Sequence, residues 1–437
     1  MAKTGNSNNT NNTEIKKARN SLNIKKILPE NKAYWVLLLV MALVAIAFLA
    51  MMTVVNAFPK SITMGLLVVL LGLFALVWVL LRRSSRVTRV IGAMMAAIFL
   101  IVYGMGTYYL GTTYAMFNRI SSEAEMEANA GNITSEAFNV YITGIDQWNK
   151  EKGLDLERSD VNMIVTVSPR TRKILLTSIP RDTYIELWHV PEMDKLTHTG
   201  IYGVEETIKS VEKWLGVDMN YYVKMNFSAV RDVIDAIGGI DVNSPASFKS
   251  SISNYEYEKG WNHMNGKKAL FFARERKAFE GKDSLRVENQ QLVVKAVINK
   301  LTSSTTLLTR YGDILDAAGG SLQTNMSSDD MQALVRMQLE DLGQWEIESQ
   351  KIEGEYDLDY VASLTQEQRF QVYRPDPESV QKCLDNINAV MNPTDEEIEA
   401  VIEKRKEKGA MDLLRKLLGR GGDSEESAET AETAEGE

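Results

Sequence analysis

The segment Ser178 to Asp182 (SIPRD), the run Arg274-Glu275-Arg276 and the trio Asp283, Arg286 and Gln290 concentrate the residue types that handle phosphate. Arginine suits such a ligand because its planar fork donates to two oxygens at once and stays charged at every physiological pH. Arg181 follows Pro180, which fixes the backbone as an apolar run ends, and Asp182 comes next. Taken alone, that segment also fits a strand-end ion pair of little worth. In an extended segment Arg274 and Arg276 point the same way across Glu275, which would make a phosphate clamp. Asp283 and Arg286 lie about one helical turn apart, with Gln290 a further turn along the same face. A solvated helix face would look the same. Asp146 closes one apolar run and Asp160 opens the next, so adjacent strand ends would bring two carboxylates to one rim. Such a pair suits Mg2+ held partly by ligand phosphates, or Mn2+; the same spacing suits aspartates that cap turns.

The elements that must position these groups follow an α/β pattern, with short apolar runs alternating with amphipathic helices from Asn139 onward. Strands are expected at 139–145, 161–167, 173–179 and 221–227, with a hairpin-like turn, SPRTRK, between the second and third. Apolar spacing predicts a helix over 203–215, one N-capped by Ser228 and ending at Gly238-Gly239, and one over 285–301 with Asp283 or Ser284 at its start. An anion there gains from unpaired amide donors and the helix dipole. Beyond Ser304 helices should dominate, including 328–342 and a charged helix over 394–418, with a connector of some strand character at 354–377.

Near the N-terminus three uncharged apolar runs, Ala33 to Val55, Ile62 to Leu81 and Val90 to Leu110, each exceed the roughly 18 residues that argue for a bilayer span. Their length disfavours the alternative of a buried hairpin in a soluble protein. Lys16, Lys17, Arg19, Lys25, Lys26 and Lys32 precede the first run, and Arg82, Arg83, Arg86 and Arg89 lie between the second and third, against Lys60 alone between the first two. Because cytoplasmic loops carry the excess of Lys and Arg, the N-terminus should be cytoplasmic and everything after about Tyr114 outside. The chain then divides into a basic N-terminus at 1–32, spans within 33–110, a site-bearing core at 135–304, a helical part at 305–390 that completes or extends it, a charged helix at 391–420 and a tail at 421–437.

The net charge of −9 comes partly from that tail, whose seven acids and no base read as disordered. The single cysteine, Cys383, excludes an intrachain disulfide and suits a Gram-positive type of surface. His189, His198 and His263 lack metal-ligand spacing and read as structural or surface residues. No phosphate-binding Gly-rich loop or Gly-x-Ser-x-Gly elbow is present, which argues against a nucleotide hydrolase or an acyl-serine enzyme. The acidic balance of the external part argues against nucleic acid as a partner.

Taken in order, GID with Asp146, RSD with Asp160, LLTSIPRD with Arg181 and Asp182, DKLTH with Lys195, IDAIGGI, HMNGKKAL, RER and the D-x-x-R-x-x-x-Q helix resemble the LytR-CpsA-Psr family of cell-wall assembly proteins over about Asn139 to Leu301. The resemblance implies an extracytoplasmic α-β-α sandwich with a mixed central sheet. It also implies a phosphotransferase that moves a glycopolymer, such as teichoic acid or capsule, from a polyprenyl pyrophosphate carrier to peptidoglycan. On that pattern Asp146 and Asp160 hold magnesium on the pyrophosphate, and Arg181, Arg274, Arg276, Arg286 and Gln290 bind its oxygens. Asp283 orients these arginines, Asp182 supports them or acts as a base, and an apolar pocket between helices and sheet receives the lipid tail. Thr197 stands where many members have asparagine, which alters a supporting hydrogen bond. A pyrophosphate hydrolase using water as acceptor would need the same clamp, and a non-catalytic membrane-bound regulator is the reading from another class.

Overall fold

The computed structural model describes residues 32–122, 126–129, 131–145, 158–276, 283–303, 313–314, 317, 322–340, 343–364 and 366–417. The chain forms two compact units, Met1–Met116 and Phe117–Glu437. The first holds three helices long and apolar enough to cross a membrane: α1 (Lys32–Val55), α2 (Lys60–Arg82) and α3 (Arg86–Ser122), the last running on past the apolar stretch. Small residues let such helices approach closely. A Cβ on Gly106 of α3 would stand 2.8 Å from the Phe48 ring of α1, and that ring packs edge-on against Tyr103 at 5.1 Å.

In the second unit, β1 (Phe138–Ile145), β2 (Ser159–Ser168) and β3 (Lys173–Ser178) form an antiparallel meander, close to the expected runs. A small hairpin follows, β4 (Tyr184–Glu186) with β5 (Met193–Lys195), then the short α4 (Leu196–Thr199) and the amphipathic α5 (Val204–Leu215). β6 (Tyr221–Asn226) leads into α6 (Phe227–Ala236), whose N-cap is Asn226 rather than Ser228. The Asn226 side chain accepts from Ala229 N–H, so the helix starts at Phe227. β7 (Ile240–Ser244), β8 (Phe248–Lys249), β9 (Glu256–Tyr257) and β10 (Gly260–Met264) make two small antiparallel pairs, β7 with β10 and β8 with β9. α7 (Gly266–Arg274) and α8 (Asp283–Thr302) come next.

The part expected to be helical beyond 304 also supplies strands. β11 (Leu322–Thr324) and, after α9 (Ser328–Glu340), β12 (Glu346–Lys351) close the two edges of the central sheet, whose order is β11-β6-β1-β2-β3-β12. β6 runs parallel to β1 and β12 parallel to β3, so the sheet is mixed. The connector at 354–377 is a hairpin of β13 (Gly354–Asp359) and β14 (Phe370–Pro375), followed by α10 (Pro377–Met391) and α11 (Asp395–Leu417).

Two apolar layers sandwich the sheet. Tyr141, Ile164, Leu175 and Tyr222 face α5 and α10 through Ile208, Val211, Cys383 and Ile387. Val140, Val165, Leu176 and Tyr221 face α8 and α9 through Val294, Ile298 and Leu334. This is the α-β-α architecture expected. A third cluster joins α6, α7 and α8 to the small strands around Ile234, Met264, Phe272 and Val293. α6, α7 and α8 thus cover the sheet face beside the site.

Candidate active site

Pairing directions bring one set of strand ends to a single edge. β1 ends where β2 begins, β3 ends beside them, and β6 and β12, parallel to β1 and β3, end at the same side. In sheets of this kind ligands bind outside the carboxyl ends of parallel strands. Asp160 is the second residue of β2 and Arg181 lies three residues past β3, so antiparallel pairing sets them together. Arg181 Nη1 reaches Asp160 Oδ1 at 2.7 Å and its Nε lies 3.5 Å from Asp182 Oδ2. Lys195 Nζ stands 3.5 Å from Asp182 Oδ1. The cluster is a chain of alternating charge, Asp160, Arg181, Asp182, Lys195, and each of these side chains is between 13% and 26% exposed. That burial makes the pairs worth more than surface bridges while leaving a ligand access.

The backbone fixes this chain. Thr183 Oγ1 donates to Pro180 O, Thr197 N–H donates to Arg181 O at 2.8 Å, and Leu196 N–H to Thr183 O at 2.8 Å, so α4 is tied directly to the segment bearing Arg181 and Asp182. Thr197 itself is buried, and its hydroxyl finds no partner among the described residues.

The other basic group arrives from α7 and α8. Arg274 is the last residue of α7, not part of an extended segment, so the side-by-side clamp with Arg276 does not arise from strand alternation. The helix runs on because Asn265 caps it by accepting from Lys268 N–H and because Ala269 and Phe272 recur at helical spacing on its buried side. The Arg274 guanidinium lies 4.7 Å from the Phe227 ring centre, a stacked cation–π contact. Glu275, 1% exposed, accepts from Ser251 N–H at 2.7 Å and Ser251 Oγ at 2.6 Å, and from Arg276 N–H. It therefore anchors the turn that presents both arginines. On α8, Arg286 is buried and Gln290 follows on the same face. The neighbouring Gln291 donates to Ser178 Oγ at 2.9 Å, pinning α8 against the end of β3. Asp283 is the first residue of α8, as the spacing predicted, and its side chain is outside the description. Asp146 lies outside the described residues.

Arg274 and Gln290 also line a cavity of about 310 Å³ between the sheet and α6, α7 and α8. Every other residue of its wall is apolar or glycine, among them Ile142, Val223, Val233, Leu270 and Val297. A narrow apolar chamber with two polar groups in its wall suits a ligand that is hydrocarbon at one end and polar at the other.

Among the described residues no group of three His, Cys, Asp or Glu side chains could hold a metal ion. Asp160 is the one described carboxylate of the expected pair, and a hard cation there would draw on its free oxygen. Asp160 presents a second carboxylate oxygen, Oδ2, that makes no hydrogen bond among the described residues. Magnesium needs only one or two carboxylates when phosphate oxygens and water complete its octahedron.

Lys195 and Glu275 are the site residues the sequence reading left without a role. A lysine beside a buried aspartate in DKLTH and a glutamate between two arginines carried the signal. The histidines are structural or surface groups as read: His189 pairs with Glu206 at 3.0 Å, His263 with Asp241 at 2.8 Å, and His198 is buried beside Asp194.

Comparison with known proteins places these observations in one class. The LytR_cpsA_psr family pattern matches residues 103–388. The polyisoprenyl-teichoic acid–peptidoglycan teichoic acid transferase TagU of Bacillus subtilis is 33% identical over 258 residues, covering 57% of this chain and 82% of TagU. The TagU of Bacillus licheniformis is 33% identical over 240 residues, 54% of this chain and 76% of the relative. The crystal structure of TagV from B. subtilis superposes with a TM-score of 0.50 at 26% identity, covering 60% of this chain and 99% of that one. The chain belongs to the LytR-CpsA-Psr family.

Proposed function

We propose that this chain is a cation-assisted phosphotransferase that moves a glycopolymer from a polyprenyl pyrophosphate carrier to peptidoglycan. The observation that carries the reading is the apolar cavity whose wall includes Arg274 and Gln290, on a sheet edge that also holds Arg181, Asp160 and Lys195. It is supported by the transferase activity for which the TagU relatives are named.

The hydrocarbon of the carrier occupies the chamber under α6 and α8. The pyrophosphate lies at the basic edge, where Arg181, Lys195, Arg274, Arg276 and Arg286 offset its charge, with Gln290 a neutral donor beside Arg274. Magnesium or manganese, held by Asp160 and in this reading Asp146, would withdraw charge from the phosphate oxygens. A sugar hydroxyl of the acceptor attacks the phosphorus that bears the glycopolymer. Its O–P bond forms, the bridging P–O bond breaks, the electron pair leaves on polyprenyl phosphate, and the hydroxyl proton passes to the departing phosphate or to water. Because the leaving group is already a phosphate, no covalent enzyme intermediate is needed, and positioning with charge neutralisation supplies the rate. Asp182, between Arg181 and Lys195 at 3.5 Å from each, orients those two cations. Asp283, the first residue of α8, is in this reading the residue that would orient Arg286.

The test uses the full chain in nanodiscs with a polyprenyl pyrophosphate saccharide and peptidoglycan glycan strands, with magnesium, with manganese, or with EDTA. Metal-dependent appearance of saccharide on the glycan is the expected result. Metal-dependent release of free phosphosaccharide with no transfer would replace the transferase by a hydrolase. No turnover with either metal would reject both.

A further inference from the structure

Asp194 is fully buried, in the middle of β5, yet among the described residues its carboxylate forms no ion pair with the charged side chains of the cluster described above, its charged partner being His198. Its Oδ1 accepts from Lys195 N–H at 2.7 Å and lies 2.8 Å from His198 Nδ1; its Oδ2 accepts from Ser363 N–H at 2.8 Å. Ser363 Oγ sits 2.9 Å from the same His198 nitrogen. Burial favours the neutral acid, but the hydrogen bonds from His198 and Ser363 outweigh it and hold the carboxyl below the usual range. A buried carboxylate is retained only where its charge is used by several donors, and these donors come from three places: β5, α4 and the loop between β13 and β14.

That loop belongs to a hairpin joined to the site at further points. Tyr373 N–H of β14 donates to Asp182 O at 2.8 Å, Tyr184 Oη donates to Tyr360 O at 2.7 Å, and Ala362 N–H donates to Met193 O at 3.1 Å. All of these anchors fall between Asp182 and Asp194, the stretch that carries Asp182 at one end and meets Lys195 at the other. We propose that Asp194, with His198 and Ser363, is a positioning centre that locks the β13–β14 hairpin to the Arg181–Lys195 segment, so that Lys195 and Asp182 are held for transfer only while the hairpin is docked.

The inference rests on the proposed reaction for its kinetic half, and its structural half stands apart from that reaction. In the full chain in nanodiscs, Asp194→Asn replaces an acceptor of two backbone N–H groups by an amide and should speed amide hydrogen exchange in 193–199 and 355–375 while leaving β1 and β2 unchanged. Ser363→Ala, which removes only one hydroxyl, should do the same more weakly and serves if Asp194→Asn does not fold. In the transfer assay kcat should fall on the order of 10- to 100-fold for Asp194→Asn, the usual effect of removing a supporting partner. KM for the carrier should stay within about twofold, because the chamber under α8 is untouched. Exchange confined to the mutated residue, or a kcat equal to that of the wild type, overturns the positioning role. Altered exchange in variants of a wild-type chain that transfers nothing would sustain the lock and reject the reaction.

Discussion

Arg181 is the residue on which most of the site converges: it pairs with Asp160, lies beside Asp182, and its carbonyl receives Thr197 N–H. Removing one preorganised charge donor from a transition state costs on the order of 10²- to 10³-fold in kcat, and Arg181→Ala is expected to lose that much in the transfer assay. Arg181→Lys should recover little, because a point charge cannot serve Asp160 and a phosphate oxygen as a fork does; near wild-type kcat in Arg181→Lys would show that charge alone suffices. At Ala273, whose side chain helps wall the cavity, a larger residue occupies space otherwise open. Ala273→Leu should raise KM for long-chain carriers more than for carriers of one or two isoprene units, and equal effects on both would place the lipid elsewhere. The sequence made Arg181 and Asp160 visible because each sits at the end of a strongly patterned apolar element, and Gln290 through its helical spacing from Asp283 and Arg286; the face it shares is not a solvated one, since Arg286 is buried and Gln290 lines the cavity beside Val293, Val294 and Val297. It misplaced Arg274 because FFARER has no breaker to separate strand from helix, and it preferred Ser228 over Asn226 as a cap because both residues suit that role.

At the scale of elements, the central strands were legible because they are largely apolar, whereas β12 was not and β13 showed only as part of a connector of some strand character. EIESQK and GEYDLD are polar runs at a sheet edge and in a hairpin, and only their pairing with β3 and β14 makes them strands. The interior strands carry the stability. Leu176 is fully buried in β3, so Leu176→Ala should cost about 2–5 kcal/mol in denaturant unfolding; a loss below 1 kcal/mol would mean the layer over it collapses to fill the gap. The hairpin lock has its own pH signature. Because the folded-state pKa of Asp194 lies below that of an unfolded aspartate, about 3.9, its stabilisation is complete above that value and is lost as pH falls through the folded value. Wild type should therefore lose more stability between pH 6 and pH 3 than Asp194→Asn, when each is followed by Tm. Parallel curves would show that the carboxylate adds nothing to folding.

For the whole molecule, the three apolar helices bear on where the proposed reaction can work, since the lipid-linked donor and wall acceptor of that proposal would meet only on the outer side of a membrane. The Lys and Arg distribution predicts an orientation with Ser84, between α2 and α3, inside and Ser61, at the start of α2, outside. The chain is well suited to testing this. Its single cysteine, Cys383, is 4% exposed, and burial pushes its thiol pKa up, so it is a poor target for maleimide. Single cysteines at Ser61→Cys, Ser84→Cys and Lys259→Cys, all exposed positions, would then report position against a quiet background. An impermeant maleimide applied to intact cells should label Ser61→Cys and Lys259→Cys, and should reach Ser84→Cys only after the membrane is opened. Labelling of Ser84→Cys alone would invert the topology, put the basic edge in the cytoplasm away from peptidoglycan, and remove the wall acceptor from the reaction proposed for Arg181 and its neighbours.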